Sequence, residues 1–272
     1  MRKLTLIVLL TITVLGACKR TKPVVEPSDT SKWAFEELSE KKELFLNNDS
    51  TKGGMKLSFE FNYPTRSDND SVLSQIQSGF ILAFAGEEYK TLSPKEAFGR
   101  FVKQVEKEGL DMGKMAEDDG PDFSNYLKNI TTTVSDTTSM TITAKTYSED
   151  YTGGAHGSHQ TTYYNIDIHN GEVLKEKNLF KDDSESALTS FIKEALDDMI
   201  KNGKQITILD PESVKPNGNF YFDDKDLVYV FNEYEIAPYS DGLIEVCIPY
   251  EKVRTLFVPE YEKLIAIKTK TE

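Results

Sequence analysis

The sequence predicts an α+β protein made of two α+β subdomains, each with an antiparallel sheet packed against amphipathic helices. Runs that alternate apolar and polar residues, as strands do, recur along the chain, and runs with helical spacing of apolar residues lie between them. These runs come in blocks and not in strict strand–helix alternation, which favours α+β over α/β. With 272 residues and 38% hydrophobic content, the chain can form one large or two modest domains.

The first residues, 1–17, are typical of a lipoprotein signal peptide. Two basic residues precede an apolar run over 4–15, which is too short to cross a bilayer, and Gly16-Ala17 supplies small residues at a cleavage site. Residues 15–18, Leu-Gly-Ala-Cys, resemble the bacterial lipobox, which implies cleavage before Cys18 and attachment of lipid such as palmitate. The alternative is a plain signal peptide followed by a chance cysteine.

Residues 18–32 are expected to form a lipidated tether, because they contain two prolines and no periodic apolar pattern. Signal cleavage would remove two basic residues and move the formal charge from -13 to -15. Such an acidic surface disfavours nucleic acid as a partner and would attract a cationic one. We therefore expect a lipid-anchored protein of the cell envelope, attached to a bacterial membrane and facing the periplasm.

The N-terminal domain is predicted over 33–120. Alternation over 56–62 predicts a strand that Pro64 ends, and apolar residues at helical spacing predict a helix over 72–84. Ser93-Pro94-Lys95-Glu96 is a capping box that begins a second helix.

The second helix is predicted to end at Gly109, since glycine commonly follows the last helical turn. The residues over 110–122 are acidic and contain Gly120 and Pro121, so we expect a loop there.

The C-terminal domain is predicted over 121–272. Patterns of alternation and helical spacing give its elements in order: strands over 126–135, 138–148 and 161–168, a helix from 182 to 203, strands over 219–222, 227–234 and 243–248, a short helix over 250–257 and a last segment over 261–267. The only cysteine besides Cys18 is Cys247, so no disulfide is expected once Cys18 carries lipid, and Cys247 is expected to be a small buried hydrophobic residue.

Residues 151–159, Tyr-Thr-Gly-Gly-Ala-His-Gly-Ser-His, are predicted to form the tip of a long β-hairpin. They contain three of the sixteen glycines and two of the three histidines, and strand-like runs flank them on both sides. Glycine supplies the positive φ that a tight turn requires and allows another backbone or a ligand to come close.

Two sets of residues carry a family resemblance. The first set is 151–157 with Tyr164-Asn165-Ile166-Asp167, Gly171-Glu172-Val173-Leu174 and Leu179-Phe180, and the second is Ile236-Ala237-Pro238-Tyr239-Ser240-Asp241-Gly242 with Ile248-Pro249-Tyr250. Both resemble the extracytoplasmic domain-of-unknown-function family found in RsiV-type anti-sigma factors and ahead of the catalytic domain of the peptidoglycan deacetylase PdaC. The resemblance spans about 141–257, and 33–120 has the position of the companion domain found beside this family.

The resemblance implies a location in the envelope and a recognition function. RsiV-type proteins use this domain as a receptor for lysozyme, a cationic protein, and the deacetylase relatives act on peptidoglycan. We therefore expect a recognition module for a lysozyme-type protein or a peptidoglycan fragment, without the sigma-binding segment or deacetylase domain of those relatives.

The expected ligand-binding residues lie in the hairpin tip and in the second set: Tyr151, Thr152, Gly153, Gly154, His156, His159 and Tyr239. Tyr163 and Tyr164 could extend their rim, although one of these two must point inward. The alternative is purely structural: Tyr151 packs on the glycines, and His156 bonds a backbone carbonyl to brace the hairpin.

His156 and His159 also permit a different hypothesis, a metal- or carboxylate-dependent hydrolase acting on cell-wall material. Two histidines three residues apart are a common metal-ligand spacing, and Asp150 or Asp167 could complete such a site. The sequence contains neither an HExxH motif nor a Gly-x-Ser-x-Gly motif. We therefore expect no catalytic activity, no cofactor and no metal.

Overall fold

The computed structural model describes residues 33–46, 49–52, 54–67, 69–119 and 126–268. Its strands are β1 (Ala34–Leu44), β2 (Met55–Arg66), β3 (Tyr126–Thr137), β4 (Thr141–Tyr151), β5 (Ser158–Asp167), β6 (Val173–Leu174), β7 (Phe220–Phe222), β8 (Asp226–Phe231) and β9 (Ile244–Pro249). Its helices are α1 (Leu73–Ala85), α2 (Pro94–Asp119), α3 (Glu176–Leu179), α4 (Glu185–Lys201), α5 (Tyr250–Val253) and α6 (Pro259–Lys268). The predicted α+β class is confirmed. The predicted signal peptide, Cys18 and the tether lie outside the described residues, and none of the described helices is long and apolar enough to cross a membrane.

The first sheet contains six strands in the order β1-β2-β3-β4-β5-β6. All neighbours are antiparallel except β2 and β3, which are parallel. A parallel pair needs a long crossover connection, and α1 and α2 provide it. Both helices pack on this sheet around buried aromatic rings, where the ring of Phe84 lies 4.7 Å from that of Phe61 and 5.5 Å from that of Phe98.

The second sheet contains β7, β8 and β9, all antiparallel. Its apolar side chains pack with those of α4 and α6 in a second core that begins at Leu174, whereas the last residue of the first core is Ile166. The two cores therefore divide near residue 170. The domain boundary near residue 120 stays a prediction; in the structure the first sheet crosses that position, because β2 pairs with β3.

The sequence patterns did not predict β1. This edge strand pairs with β2 along its length, but charged residues dominate its exposed positions and hide the alternation. Charged side chains on an edge strand discourage pairing with other chains, so the composition suits its place at the rim of the sheet.

Two predicted element ends were wrong, one at the end of β2 and one at the end of α2. β2 continues through Pro64. The last residue of β2 that pairs with β3 is Phe61, and the pairing of β2 with β1 is irregular next to Pro64, so the strand tolerates a residue that has no N–H to donate. α2 continues through Gly109 to Asp119, in place of the predicted loop. A Cβ atom at Gly109 would lie 2.6 Å from the Met55 Sδ, so this glycine allows α2 to approach β2 and does not end the helix.

Candidate functional site

The hairpin tip connects β4 and β5, which pair from Thr141 with Asp167 to Asp150 with Ser158. Gly153 and Gly154 have φ angles of 92° and 95°, as the predicted turn requires.

The bracing contacts of the structural alternative are present at this tip. The Tyr151 hydroxyl donates to the Gly154 carbonyl at 3.1 Å, and the His156 Nδ1 donates to the Gly157 carbonyl at 2.8 Å.

A second segment, residues 232–241 after β8, packs against this tip. It brings Tyr239 onto His156, with ring centroids 3.8 Å apart and planes inclined by 20°. The Tyr234 ring lies 6.0 Å from Tyr239 and 6.3 Å from His156, and its hydroxyl is 3.3 Å from the His156 Nε2. We call His156, His159, Tyr234 and Tyr239 the tip cluster.

His159 attaches the hairpin to this segment through Glu233. The His159 Nδ1 donates to one carboxylate oxygen of Glu233 at 2.9 Å, and the His159 backbone N–H donates to the other at 3.2 Å. The His159 Nε2 lies 3.7 Å from the Glu149 carboxylate. The imidazole also lies 6.4 Å from the Tyr147 ring and 6.2 Å from the Tyr239 ring, so one histidine joins two acids and two aromatic rings.

Negative charge surrounds the tip cluster. Loss of hydration raises the pKa of the Tyr239 phenol, and the charges of Glu233 and Glu149 raise it further. The same causes, with Glu149 ahead of Glu233, raise the pKa of Tyr147. The carboxylates of Glu149 and Glu233 therefore add negative charge beside the aromatic rings of the cluster.

Three buried asparagines, Asn165, Asn219 and Asn232, connect β5 to β7 and to the segments beside it, and we call them the asparagine joint. β6 pairs with β5 only at Asn165 and Ile166, which leaves the rest of this edge of β5 without a strand partner.

Asparagine side chains bond the uncovered edge of β5. The Thr161 N–H donates to the Asn232 Oδ1 at 2.7 Å, and the Tyr163 N–H donates to the Asn219 Oδ1 at 3.0 Å. The Asn219 Nδ2 donates to the Thr161 carbonyl at 2.8 Å, and the Asn165 Nδ2 donates to the Phe220 carbonyl at 2.8 Å. The Asn219 and Asn232 side chains therefore take the place of a neighbouring strand at Thr161 and Tyr163.

The structure brings several of the predicted binding residues together. His156, His159 and Tyr239 lie in one cluster although Tyr239 is far from the others in sequence, and the exposed Thr152 adjoins the two tip glycines.

The predicted extension of the rim by Tyr163 and Tyr164 is wrong. Tyr163 is buried and stacks on Tyr221 at 4.4 Å, and Tyr164 packs against the first core.

The residues proposed for a metal site do not converge. Asp150 accepts from Lys128 at 2.6 Å, and Asp167 lies at the other end of β5, where it accepts from His169 and from the Tyr261 hydroxyl. In the part of the chain that the structure describes, no group of three or more His, Cys, Asp or Glu side chains is placed to hold a metal ion. Cys247 is partly buried on β9 and not fully buried as expected.

Tyr234 and Glu233 were missed as site residues because the sequence predicted one strand from Leu227 through Tyr234. β8 ends at Phe231, and Tyr234 lies in a turn. The signal was present in the sequence: Asn232-Glu233-Tyr234-Glu235 is a polar quartet directly after an apolar run.

Comparison with known proteins agrees with the resemblance predicted from the sequence. The family described as "Protein of unknown function (DUF3298)" matches residues 177–251. A stretch of 110 residues is 34% identical to the anti-sigma-V factor RsiV of Bacillus subtilis, and it covers 37% of this chain and 39% of RsiV. The predicted resemblance is confirmed. The chain therefore matches well under half of RsiV.

Two solved structures share the fold. A DUF3298 family member from Bacteroides fragilis has a TM-score of 0.75 at 26% identity, with 88% of this chain and 98% of that chain covered. A DUF3298 family protein from Pseudomonas aeruginosa has a TM-score of 0.60 at 16% identity, covers 84% of this chain and 95% of its own, and shows the fold alone.

Proposed function

We propose that this chain is a non-catalytic recognition module of the cell envelope, which binds a lysozyme-type protein or a peptidoglycan fragment through the tip cluster. One observation carries the proposal: the two sets of residues that resemble the RsiV-type family meet in space where His156 stacks on Tyr239. Residues so far apart in sequence come together at a single surface site, as expected for a site that acts as a unit.

The chemistry of the cluster favours a cationic protein as the ligand. Tyrosine is common at the centre of protein interfaces, because it combines a large apolar face with a polar end. Glu149 and Glu233 add negative charge at this site, and the whole chain carries a formal charge of -13. Opposite charge accelerates encounter and adds specificity, which suits a lysozyme-type partner better than a neutral sugar.

Membrane attachment through Cys18 is the second part of the proposal. It is supported by the lipobox-like residues 15–18 and by the similarity to an anti-sigma factor. Cells fed a clickable fatty acid should label the protein, and Cys18→Ser should abolish the label. A Cys18→Ser variant that is labelled as strongly as the original protein would contradict the anchor.

Calorimetric titration with egg-white lysozyme and with soluble muropeptides, at low and moderate salt, tests the binding function. We expect saturable lysozyme binding that weakens as salt is added, because salt screens the acidic surface. His156→Ala should weaken this binding about tenfold or more. His169→Ala is the matched control, since it removes an exposed histidine at the other end of β5 and should leave the affinity unchanged. Absence of binding to both ligands would contradict the proposal.

A further inference from the structure

Tyr234 occupies a backbone position that tyrosine rarely adopts. The Glu235 N–H donates to the Asn232 carbonyl at 3.1 Å and closes a β-turn in which Tyr234 is the third residue. Its φ is 66°, and among the described residues it is the only one other than glycine with a positive φ. A turn with positive φ at the third position favours glycine or asparagine, because a bulky side chain is strained there.

Burial does not offset this strain. The Tyr234 residue is 59% exposed, and its ring lies near those of His156 and Tyr239. A strained residue that contributes little packing is expected where the position serves function, since a glycine would suit the fold better. Tyr234 therefore stands apart from the buried tyrosines of this chain.

Two fixed carboxylates flank Tyr234 in sequence. Glu233 is held by His159, and Glu235 accepts from the Asn217 Nδ2 at 2.9 Å. Both residues are adjacent to Tyr234 in the chain, so two negative charges lie near this exposed residue. Aromatic faces attract cations through the ring quadrupole, and nearby carboxylates strengthen that attraction.

We infer that Tyr234 and Tyr239 form a cation-recognition site that accepts a lysine or arginine side chain of a protein partner, with Glu233 and Glu235 providing the attracting charge. The inference rests on the proposed function, in that the partner is a cationic protein. It adds the chemical group that is bound and makes Tyr234 a specificity-determining residue.

The decisive variant is Tyr234→Gly. It removes the ring and also the backbone strain of a positive φ, because glycine adopts that conformation freely. We therefore expect the melting temperature to stay the same or to rise. Lysozyme affinity should fall about tenfold, the loss expected for one partly desolvated cation–π contact. Tyr234→Phe keeps the ring face and should retain the affinity. A Tyr234→Gly protein that melts lower and binds lysozyme normally would overturn the inference, because Tyr234 would then be structural.

A small probe separates this inference from the proposed function. Tetra-arginine amide should shift the ring NMR signals of Tyr234 and Tyr239, and Tyr234→Gly should abolish the shift at Tyr239. If lysozyme does not bind but the peptide does, the proposed ligand is wrong and the cation site stands. If the peptide leaves both rings unchanged, or if a neutral chitin tetramer shifts them and the peptide does not, the cation site is overturned.

Discussion

The asparagine joint and the tip cluster hold the same strand, β5, to the same region around β8, yet they differ in chemistry. The joint uses three short amides, with Asn165 1% exposed and Asn219 and Asn232 each 7% exposed, and it bonds the backbone directly. The tip cluster combines the exposed rings of His156 and Tyr234 with the half-buried rings of His159 and Tyr239, and Tyr234 lies in a strained turn. The joint satisfies the polar groups that it buries, whereas the cluster keeps aromatic surface and charge available to a ligand.

This difference assigns stability to one region and recognition to the other. Buried backbone groups without partners are costly, so changes in the joint should lower stability. The rings of His156 and Tyr234 are exposed, so changes at these two residues should lower affinity and leave the fold intact.

The largest effect on stability should come from Asn219→Ala. It removes the acceptor of the Tyr163 N–H and the donor to the Thr161 and Val230 carbonyls, all buried. We expect the free energy of unfolding to fall by about 3 to 4 kcal/mol, because the Tyr163 N–H and the Thr161 carbonyl lose this buried partner, whereas the Val230 carbonyl keeps the Asn217 Nδ2. Urea denaturation measures this loss.

The matched control is Asn202→Ala, at an exposed asparagine after α4. The free energy of unfolding of this variant should fall by about 0.5 kcal/mol or less, which is the range of surface substitutions. Equal losses in Asn219→Ala and Asn202→Ala would remove the distinction between the joint and ordinary surface positions.

Two glycine substitutions should give the next effects. Gly171 has a φ of 75°, and a Cβ there would lie 2.2 Å from the Gln75 Cβ and 2.7 Å from the Gln75 backbone carbon. We expect Gly171→Ala to cost about 3 kcal/mol through strain and overpacking. Gly154, in the tip, has a φ of 95° with nothing within 4 Å, so Gly154→Ala should cost about 1 kcal/mol. Thermal denaturation of both variants tests this order, and the reverse order would contradict it.

The smallest expected effect on stability comes from a change of pH and concerns the stacked pair Tyr163 and Tyr221 beside the joint. Burial, and then the charge of Glu245, raise the pKa of both phenols above the ordinary value of 10.0. The folded state therefore favours neutral phenols. This contribution to stability is complete below pH 10.0 and is lost as the pH rises through the folded-state values.

Urea midpoints measured from about pH 9 to about pH 11 should show this decline. Tyr163→Phe removes one of the two phenols and should make the decline shallower. An unchanged slope in Tyr163→Phe would show that other groups control alkaline stability.

The elements that the sequence predicted well depend on local patterns. α1 and α4 follow from helical spacing, and the tip from its glycines, because each signal lies within a few residues. Only the family resemblance suggested that Tyr239 joins the hairpin, since local patterns say nothing about distant residues.

The features that were missed depend on contacts between distant residues. Gly109 is a packing glycine only because Met55 lies opposite it. Asn219 and Asn232 bond β5 only because the second sheet lies beside that strand. The turn at Tyr234 was missed for a different reason: the polar residues 232–235 marked the end of the apolar run, but the predicted strand was continued through them. At Gly109 a tertiary contact overrode a reasonable local pattern.

Hydrogen–deuterium exchange with and without egg-white lysozyme tests the central claim most directly, because it locates bound ligand by backbone protection. We expect lysozyme to add protection over 152–160 and 232–241 and to leave β1 and α2 unchanged. The assignment of recognition to this cluster would be contradicted if lysozyme protected only β1, α2 or other segments far from the tip cluster and added no protection at the tip.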